Sequence, residues 1–481
     1  MNQEISIASW FRLIIYFLAV VTGVAVIWAA AEPQKIYAAV GLISLLIVTS
    51  PFIALKKYDL LSPWSFVILP ILVLATPQAI CMSFDWPSVE SVNRSMLLGK
   101  DPEYFYYPAM IYLGGLVFLT YGYFGFQSSK TKVITSGRRY KPSNLAFIIA
   151  ITLLVSTVAT VAFIRFTSGD STRVSDKRTT IRTVDVKEDK DLQQYGHLRQ
   201  LGKLSTVAFL ILFAYYLRHY ERLSVFQTAL VGSAFLLSCV LPFYSSSRSQ
   251  MIWSVLSGLG VIYYLDNKWF GLKLLAAGGG ALFVFLAMSF LRHSDLDDAI
   301  ENVSWEKSVE SVILNRNGPG LSKTAHVINN VPGLLDFQYG KTFAVWLIAP
   351  VPRAVYPGKP LIHSGPIIGS TIYSTSVSGV PPGFIAELYW NFHIPGVIFG
   401  MLALGFGLFR VYALFLNCQI EPSIIVPIYV FCVVQVGFAV LGNSLGFGVV
   451  MRLVDFVTIA GVIYFCTVSS GRNSNLAGAR A

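Results

Sequence analysis

The sequence predicts an all-α polytopic membrane protein with about twelve transmembrane helices. Three observations predict it. The 481 residues are 54% hydrophobic and only 13% charged, whereas a soluble protein of ordinary composition is about one quarter charged. Apolar runs long enough to cross a bilayer, about 20 residues each, recur along nearly the whole length. No period-two alternation marks a barrel, so helices must satisfy the backbone inside the hydrocarbon.

The twelve expected spans lie near 10–31, 36–55, 63–83, 108–126, 144–164, 201–217, 225–243, 250–265, 272–291, 384–408, 423–441 and 448–467. The first is followed by Ala29-Ala30-Ala31, as a signal peptide would be. Its apolar core is too long for that, and only Arg12 leads it, so it is expected to be a retained span. The whole chain, 1–481, is expected to form one transmembrane domain. One set of short connections and tails carries fifteen basic and five acidic residues, with Lys56, Lys57, Arg138, Arg139, Lys141 and Arg218 among them. The remaining 21 basic and 20 acidic residues nearly cancel. The positive-inside rule then places both termini in the cytoplasm. The net +11 is mostly this topology signal, and no nucleic-acid motif accompanies it.

Three connections on the other side are long. Segment 84–107 mixes charges and ends in Tyr104-Phe105-Tyr106-Tyr107, an expected interfacial belt. Segment 165–200 is dense in both charge signs, either a solvated loop or a cationic lid. Segment 292–383 is the longest. Apolar residues at 305, 309, 312 and 313 predict a helix lying on the membrane. The apolar stretch 343–352 is too short to cross and predicts a re-entrant or interfacial piece ended by prolines. Loops of this length are usually functional.

No Walker loop, dinucleotide fingerprint or zinc motif occurs, so no cofactor and no metal is expected. Five cysteines, Cys81, Cys239, Cys418, Cys432 and Cys466, fall in or beside spans and read as packing residues. What remains is a set of cations at external span mouths: Arg248, Arg292, Arg316, Arg353, Lys359 and Arg452. Guanidinium forks match phosphate oxygens bidentately and keep their charge, so convergent arginines at a bilayer surface suit a lipid diphosphate. Singly, each is also a snorkelling side chain, and Arg452 is spaced to pair with Asp455 on one helix face. Glu387 opens the tenth span, where an unpaired carboxylate is costly. It is either an ion-pair partner or a base for a sugar hydroxyl. His363 is a second candidate base, and Tyr389 and Asn391 are placed to stack on or hydrogen-bond a sugar.

The Ser247-Arg248-Ser249 turn, Tyr339-Gly340-Lys341-Thr342, Pro352-Arg353 with Lys359-Pro360, and Glu387-Leu388-Tyr389-Trp390-Asn391-Phe392 followed by Gly396 resemble the oligosaccharide repeat-unit polymerases, also called Wzy-type O-antigen or exopolysaccharide polymerases. The resemblance runs from about Arg248 to Gly396, and the twelve-span layout extends it. It implies a membrane glycosyltransferase of the broad C type, GT-C-like in architecture. Such an enzyme moves a growing glycan from its polyprenyl diphosphate onto the next lipid-linked repeat unit, outside the membrane. It implies arginines that steady the leaving diphosphate, and a carboxylate or histidine that takes the acceptor proton. Membrane lipid, a flippase and a chain-length regulator are the implied partners. An O-antigen ligase and a lipid-linked glycan transporter are the alternatives.

Overall fold

The computed structural model describes residues 5–6, 9–30, 35–54, 57–84, 103–126, 133–167, 184–185, 190–191, 196–219, 224–244, 248–265, 313, 320–349, 351, 355–360, 362, 364–374 and 380–469. The chain is overwhelmingly helical. In order come α1 (Ser9–Ala29), α2 (Lys35–Thr49), α3 (Pro63–Ser83), α4 (Glu103–Phe124), α5 (Pro142–Thr167), α6 (Gly196–Gly202), α7 (Leu204–His219), α8 (Val225–Tyr244) and α9 (Arg248–Leu265). The long segment after α9 contributes α10 (Leu321–Asn329), α11 (Lys341–Ala344) and α12 (Ser364–Thr371). The bundle closes with α13 (Phe384–Leu416), α14 (Pro422–Gly442) and α15 (Leu445–Cys466).

Helices stand at every expected span except 272–291, which lies outside the described residues. They are not twelve equivalent spans. Among the described residues six helices are long and apolar enough to cross a membrane, and others, such as α2, are apolar but shorter. Pro51 sets the end of α2, because the residue before a proline is driven out of helical geometry. Pro70 sits within α3 and removes a backbone donor, and the next turn, Ile71–Ala75, widens into a π-helix. The expected flat helix at 304–314 falls outside the described residues apart from Ile313. Across the stretch expected to be re-entrant or interfacial, α11 runs on as a 3-10 turn over Val345–Ile348.

The aromatic belt at 104–107 needs correcting. These residues form the first turns of α4. Phe105 is fully buried while Tyr106 and Tyr107 face outward. The run is one helix's inside and outside, not a uniform interfacial strip.

Helices α4 and α13 make the tightest crossing. A Cβ on Gly122 would fall inside the contact radius of the Leu402 carbonyl oxygen, and one on Gly405 inside that of Leu119. The two backbones therefore touch through paired glycines, the device by which helices approach closely in lipid. One hydrophobic core surrounds this crossing and takes in α2, α3, α10 and α12. A second joins α5, α7, α9, α14 and α15.

One end of the bundle is stapled. Strand β1 (Ile5–Ser6) pairs antiparallel with β2 (Lys57–Tyr58), and β3 (Arg138–Tyr140) with β6 (Thr467–Ser469). A small hairpin, β4 (Val184–Asp185) with β5 (Lys190–Asp191), stands apart from these. Next to β2, the buried Asp59 carboxylate accepts hydrogen bonds from the hydroxyls of Tyr264 (2.7 Å) and Tyr412 (2.8 Å). Tyr429 donates to the Leu61 carbonyl at 2.8 Å. One loop thus ties α9, α13 and α14 together. Hydrogen bonds to a charged group contribute about 1.5–3 kcal/mol each. Tyr264→Phe is therefore expected to lower the melting temperature of the detergent-solubilised protein, and Tyr121→Phe, at a lipid-facing position, to leave it unchanged.

Candidate functional site

The site is built around a helix that breaks. Pro381-Pro382-Gly383 brings the chain in, with Gly383 at φ 80, a geometry that favours glycine. From Phe384 to Asn391 the chain is helical and every side chain is buried. At Phe392 and His393 the backbone leaves helical geometry, with His393 at φ 57 and ψ −151. Pro395 lacks the N–H that would have continued the ladder. Gly396 then lets the second part of α13 start against the Leu388 carbonyl, where a Cβ would not fit. The expected span at 384–408 is thus a buried half-helix joined to a long crossing helix.

A break inside an apolar bundle must satisfy its own backbone. The loop at 336–342 does so. Asn391 accepts from the Gly340 N–H at 2.9 Å through Oδ1. Its Nδ2 donates to Thr342 Oγ1 and to the Glu387 carbonyl, both at 2.8 Å. Gln338 N–H donates to the Trp390 carbonyl at 3.1 Å, and Trp390 Nε1 to the Asp336 carbonyl at 2.9 Å. Gly340, at φ 86, takes the left-handed turn this clamp requires. The Tyr-Gly-Lys-Thr element and the Glu-Leu-Tyr-Trp-Asn element, about fifty residues apart, are therefore one structure.

Glu387 is fully buried. Oε2 accepts the Leu445 N–H at the first turn of α15, where the helix dipole favours an anion. Oε1 is buried and has no hydrogen-bond partner among the described residues. No arginine in the described residues pairs with it; the expected ion-pair role is filled by a backbone donor instead.

Lys323, which the sequence did not single out, mirrors this arrangement. It is 2% exposed, and its Nζ donates to the Gly442 carbonyl at 3.3 Å. Gly442 ends α14, so the ammonium sits where the dipole favours a cation. Burial pulls the Lys323 ammonium down to about 7. Two buried side chains of opposite charge thus grip the two sides of one turn, residues 442–445. The one sequence signal for Lys323 was a cation among Leu321, Ala325, Val327 and Ile328 with no acid near it in the chain.

The other candidates divide. Tyr389 is 3% exposed, and its hydroxyl lies 3.3 Å from that of Tyr107, with its ring against His393. It packs inside the bundle and offers no open platform for a sugar. Lys359 is turned inward, its Nζ bonded to the carbonyls of Ala349 (2.7 Å) and Val351 (2.8 Å). It caps the end of the re-entrant piece, so the phosphate contact expected of it is replaced by a structural one. Arg452 does share a face with Asp455, at 2.9 Å. The pairing is poorly aligned, and Nη1 makes no hydrogen bond among the described residues. Arg248 is the first residue of α9, but the structure describes only its backbone. Arg292, Arg316, Arg353 and His363 lie outside the described residues. Glu387, Asn391, Tyr389 and the start of α15 are brought together; Lys359 is spent elsewhere.

No protein-family model, curated protein or solved structure matches this chain.

Removing the Asn391 amide leaves buried groups unpaired, at about 1–3 kcal/mol for each. Asn391→Ala is expected to lower the melting temperature clearly, and Thr342→Val to do so by less. Lys323 gives a pH signature. Its folded value is depressed, so between about 7 and the usual lysine range the unfolded chain binds the extra proton and stability rises with pH. Melting curves from pH 7 to 10 are expected to show this rise in the wild type and a smaller one in Lys323→Met.

Proposed function

We propose that this chain is a membrane glycosyltransferase that polymerises polyprenyl-diphosphate-linked oligosaccharide repeat units on the external face of the membrane. The observation that carries the reading is the Glu387 carboxylate. It lies on a broken helix, anchored by the Leu445 N–H and faced by the Thr342 hydroxyl, with no cation paired to it among the described residues. Arg452 stands two turns along the helix that anchors it. A base beside cations is what transfer from a lipid diphosphate needs.

In this mechanism Glu387 accepts the proton of the acceptor hydroxyl as that oxygen bonds to the anomeric carbon of the donor. The bond from that carbon to the diphosphate oxygen breaks, and the diphosphate leaves with the electron pair, its charge steadied by Arg248, Arg353 and Arg452. The acceptor reaches Oε1 when the loop over the half-helix opens. Tyr339, 76% exposed, stands at the tip of that loop. His363 is the alternative proton acceptor.

One observation favours a second reading. A broken membrane helix with a buried charge is also a transporter device. In transporters such breaks lie near mid-membrane, whereas this one falls in the first third of α13. Reconstituted protein given lipid-linked repeat units separates the cases: longer chains mean a polymerase, and movement of unextended units between leaflets means a transporter. Transfer to a lipid A core acceptor would mean a ligase.

Glu387→Gln keeps size and hydrogen bonding but loses basicity. It is expected to bind lipid-linked substrate and fail at extension; near wild-type turnover would remove Glu387 as the base and leave His363. Arg353→Ala and Arg248→Ala are expected to abolish polymer, about a hundredfold or more in rate, with the protein still in the membrane. The proposed orientation predicts that thiols introduced at Ser175 and Asn330 are labelled from outside intact cells and one at Thr135 is not.

A further inference from the structure

The cations not yet accounted for lie beside Arg452. Arg199 and Lys203 are four residues apart at the joint between α6 and α7, and both are partly buried. The α6 turn packs on α5 and reaches α15 through Gln200 Nε2, which donates to the sulfur of Met451, the neighbour of Arg452, at 3.9 Å. The charged groups close enough to act on Lys203 are Asp455, Arg199 and Arg452. Among the described residues three cations therefore share one carboxylate, in a place where the Arg452 and Asp455 side chains are only 14% and 8% exposed. Asp455 neutralises one of them. Like charges held together out of water with fewer counterions than cations are costly, and the Asp455 carboxylate that meets Arg452 Nη1 at 2.9 Å is already engaged by that ion pair. The surround is apolar and faces outward: Leu201 beside the two α6 cations, and Leu453 and Val457 beside Arg452.

We propose that Arg199, Lys203 and Arg452 form a notch that binds the diphosphate head of a lipid whose tail lies along the outward apolar surface of α6 and α15. The excess of positive charge selects a multiply charged oxyanion, and the apolar border selects an anion that carries a hydrocarbon tail. The notch deepens the polymerase reading and rests on it for its role in turnover, but the binding itself does not depend on that reading. Arg199 and Lys203 become substrate-positioning residues at the leaving group.

The test titrates farnesyl diphosphate, farnesyl monophosphate and inorganic diphosphate into the purified full chain in lipid nanodiscs, following affinity and melting temperature. Farnesyl diphosphate is expected to bind most tightly. Lys203→Met and Arg199→Gln are each expected to weaken it about tenfold or more, the size of one lost charged contact. Both should hold or raise the ligand-free melting temperature, because each relieves repulsion. Asp455→Asn should do the reverse, with tighter binding and a less stable free protein. Arg138→Gln, at the stapled end, should leave the affinity unchanged, even where the loss of its bonds to Tyr464 and Thr467 lowers the melting temperature.

The proposal is overturned if farnesyl diphosphate does not bind, or if both variants bind it as the wild type does. A lower ligand-free melting temperature in Lys203→Met with unchanged affinity would make the cluster a structural ion pair. Equal binding of inorganic diphosphate would overturn the lipid assignment. If the variants lose binding while their cells still make full-length polymer, the notch stands and the polymerase reading falls.

Discussion

One side-chain amide holds the site together. Where α13 stops being a helix, its backbone groups have no helical partners, and the apolar surroundings supply no water to replace them. Asn391 answers for three groups on two chain segments: the Gly340 N–H and the Thr342 hydroxyl of the loop, and the Glu387 carbonyl of its own helix. A leucine or alanine there fills space but satisfies nothing. The re-entrant piece, the turn at Gly340 and the placing of the Glu387 carboxylate all follow from that amide. Glu387 in turn fixes where α15 begins, so the position of Arg452 along that helix descends from the same bond.

The turn between α14 and α15 repeats the theme electrostatically. Lys323 meets the carbonyl end of one helix and Glu387 the N–H end of the next. Each ion sits against the helix dipole of opposite sign, so neither relies on a direct ion pair. This is an inexpensive way to keep opposite charges close in an apolar medium without cancelling them. A carboxylate pinned by a backbone N–H retains lone pairs for chemistry that a bidentate arginine would have occupied.

Much of the fold was legible in the sequence because hydrophobic length is a strong signal, and helices appear at nearly every expected span. The break in α13 was only half legible. Pro395 and Gly396 are visible in the chain, but neither states that the preceding turns are packed on all sides. Glu387 and Asn391 were found because acids and amides are rare in such segments. Lys323, Arg199 and Lys203 were missed for a common reason. Each lies in or beside a segment whose composition suggests exposure to water, and only packing against α14 or α15 places it by the site. Lys359 failed in the opposite sense: a cation between prolines suggests a ligand contact, yet two carbonyls left at the end of a short helix claimed it first. The aromatic run at 104–107 shows the same limit, since composition cannot say that Phe105 is buried while Tyr106 beside it is exposed.

The stapled end carries a consequence for permeability. With Asp59 drawing Tyr264 and Tyr412 together and short strand pairs lacing the loops around them, that end acts as a plug. Whatever loosens the half-helix to admit a bulky, charged molecule does so at the far end, like a purse that opens at the mouth while its base stays sewn. Under the proposed function, substrate then enters and product leaves on the half-helix side alone.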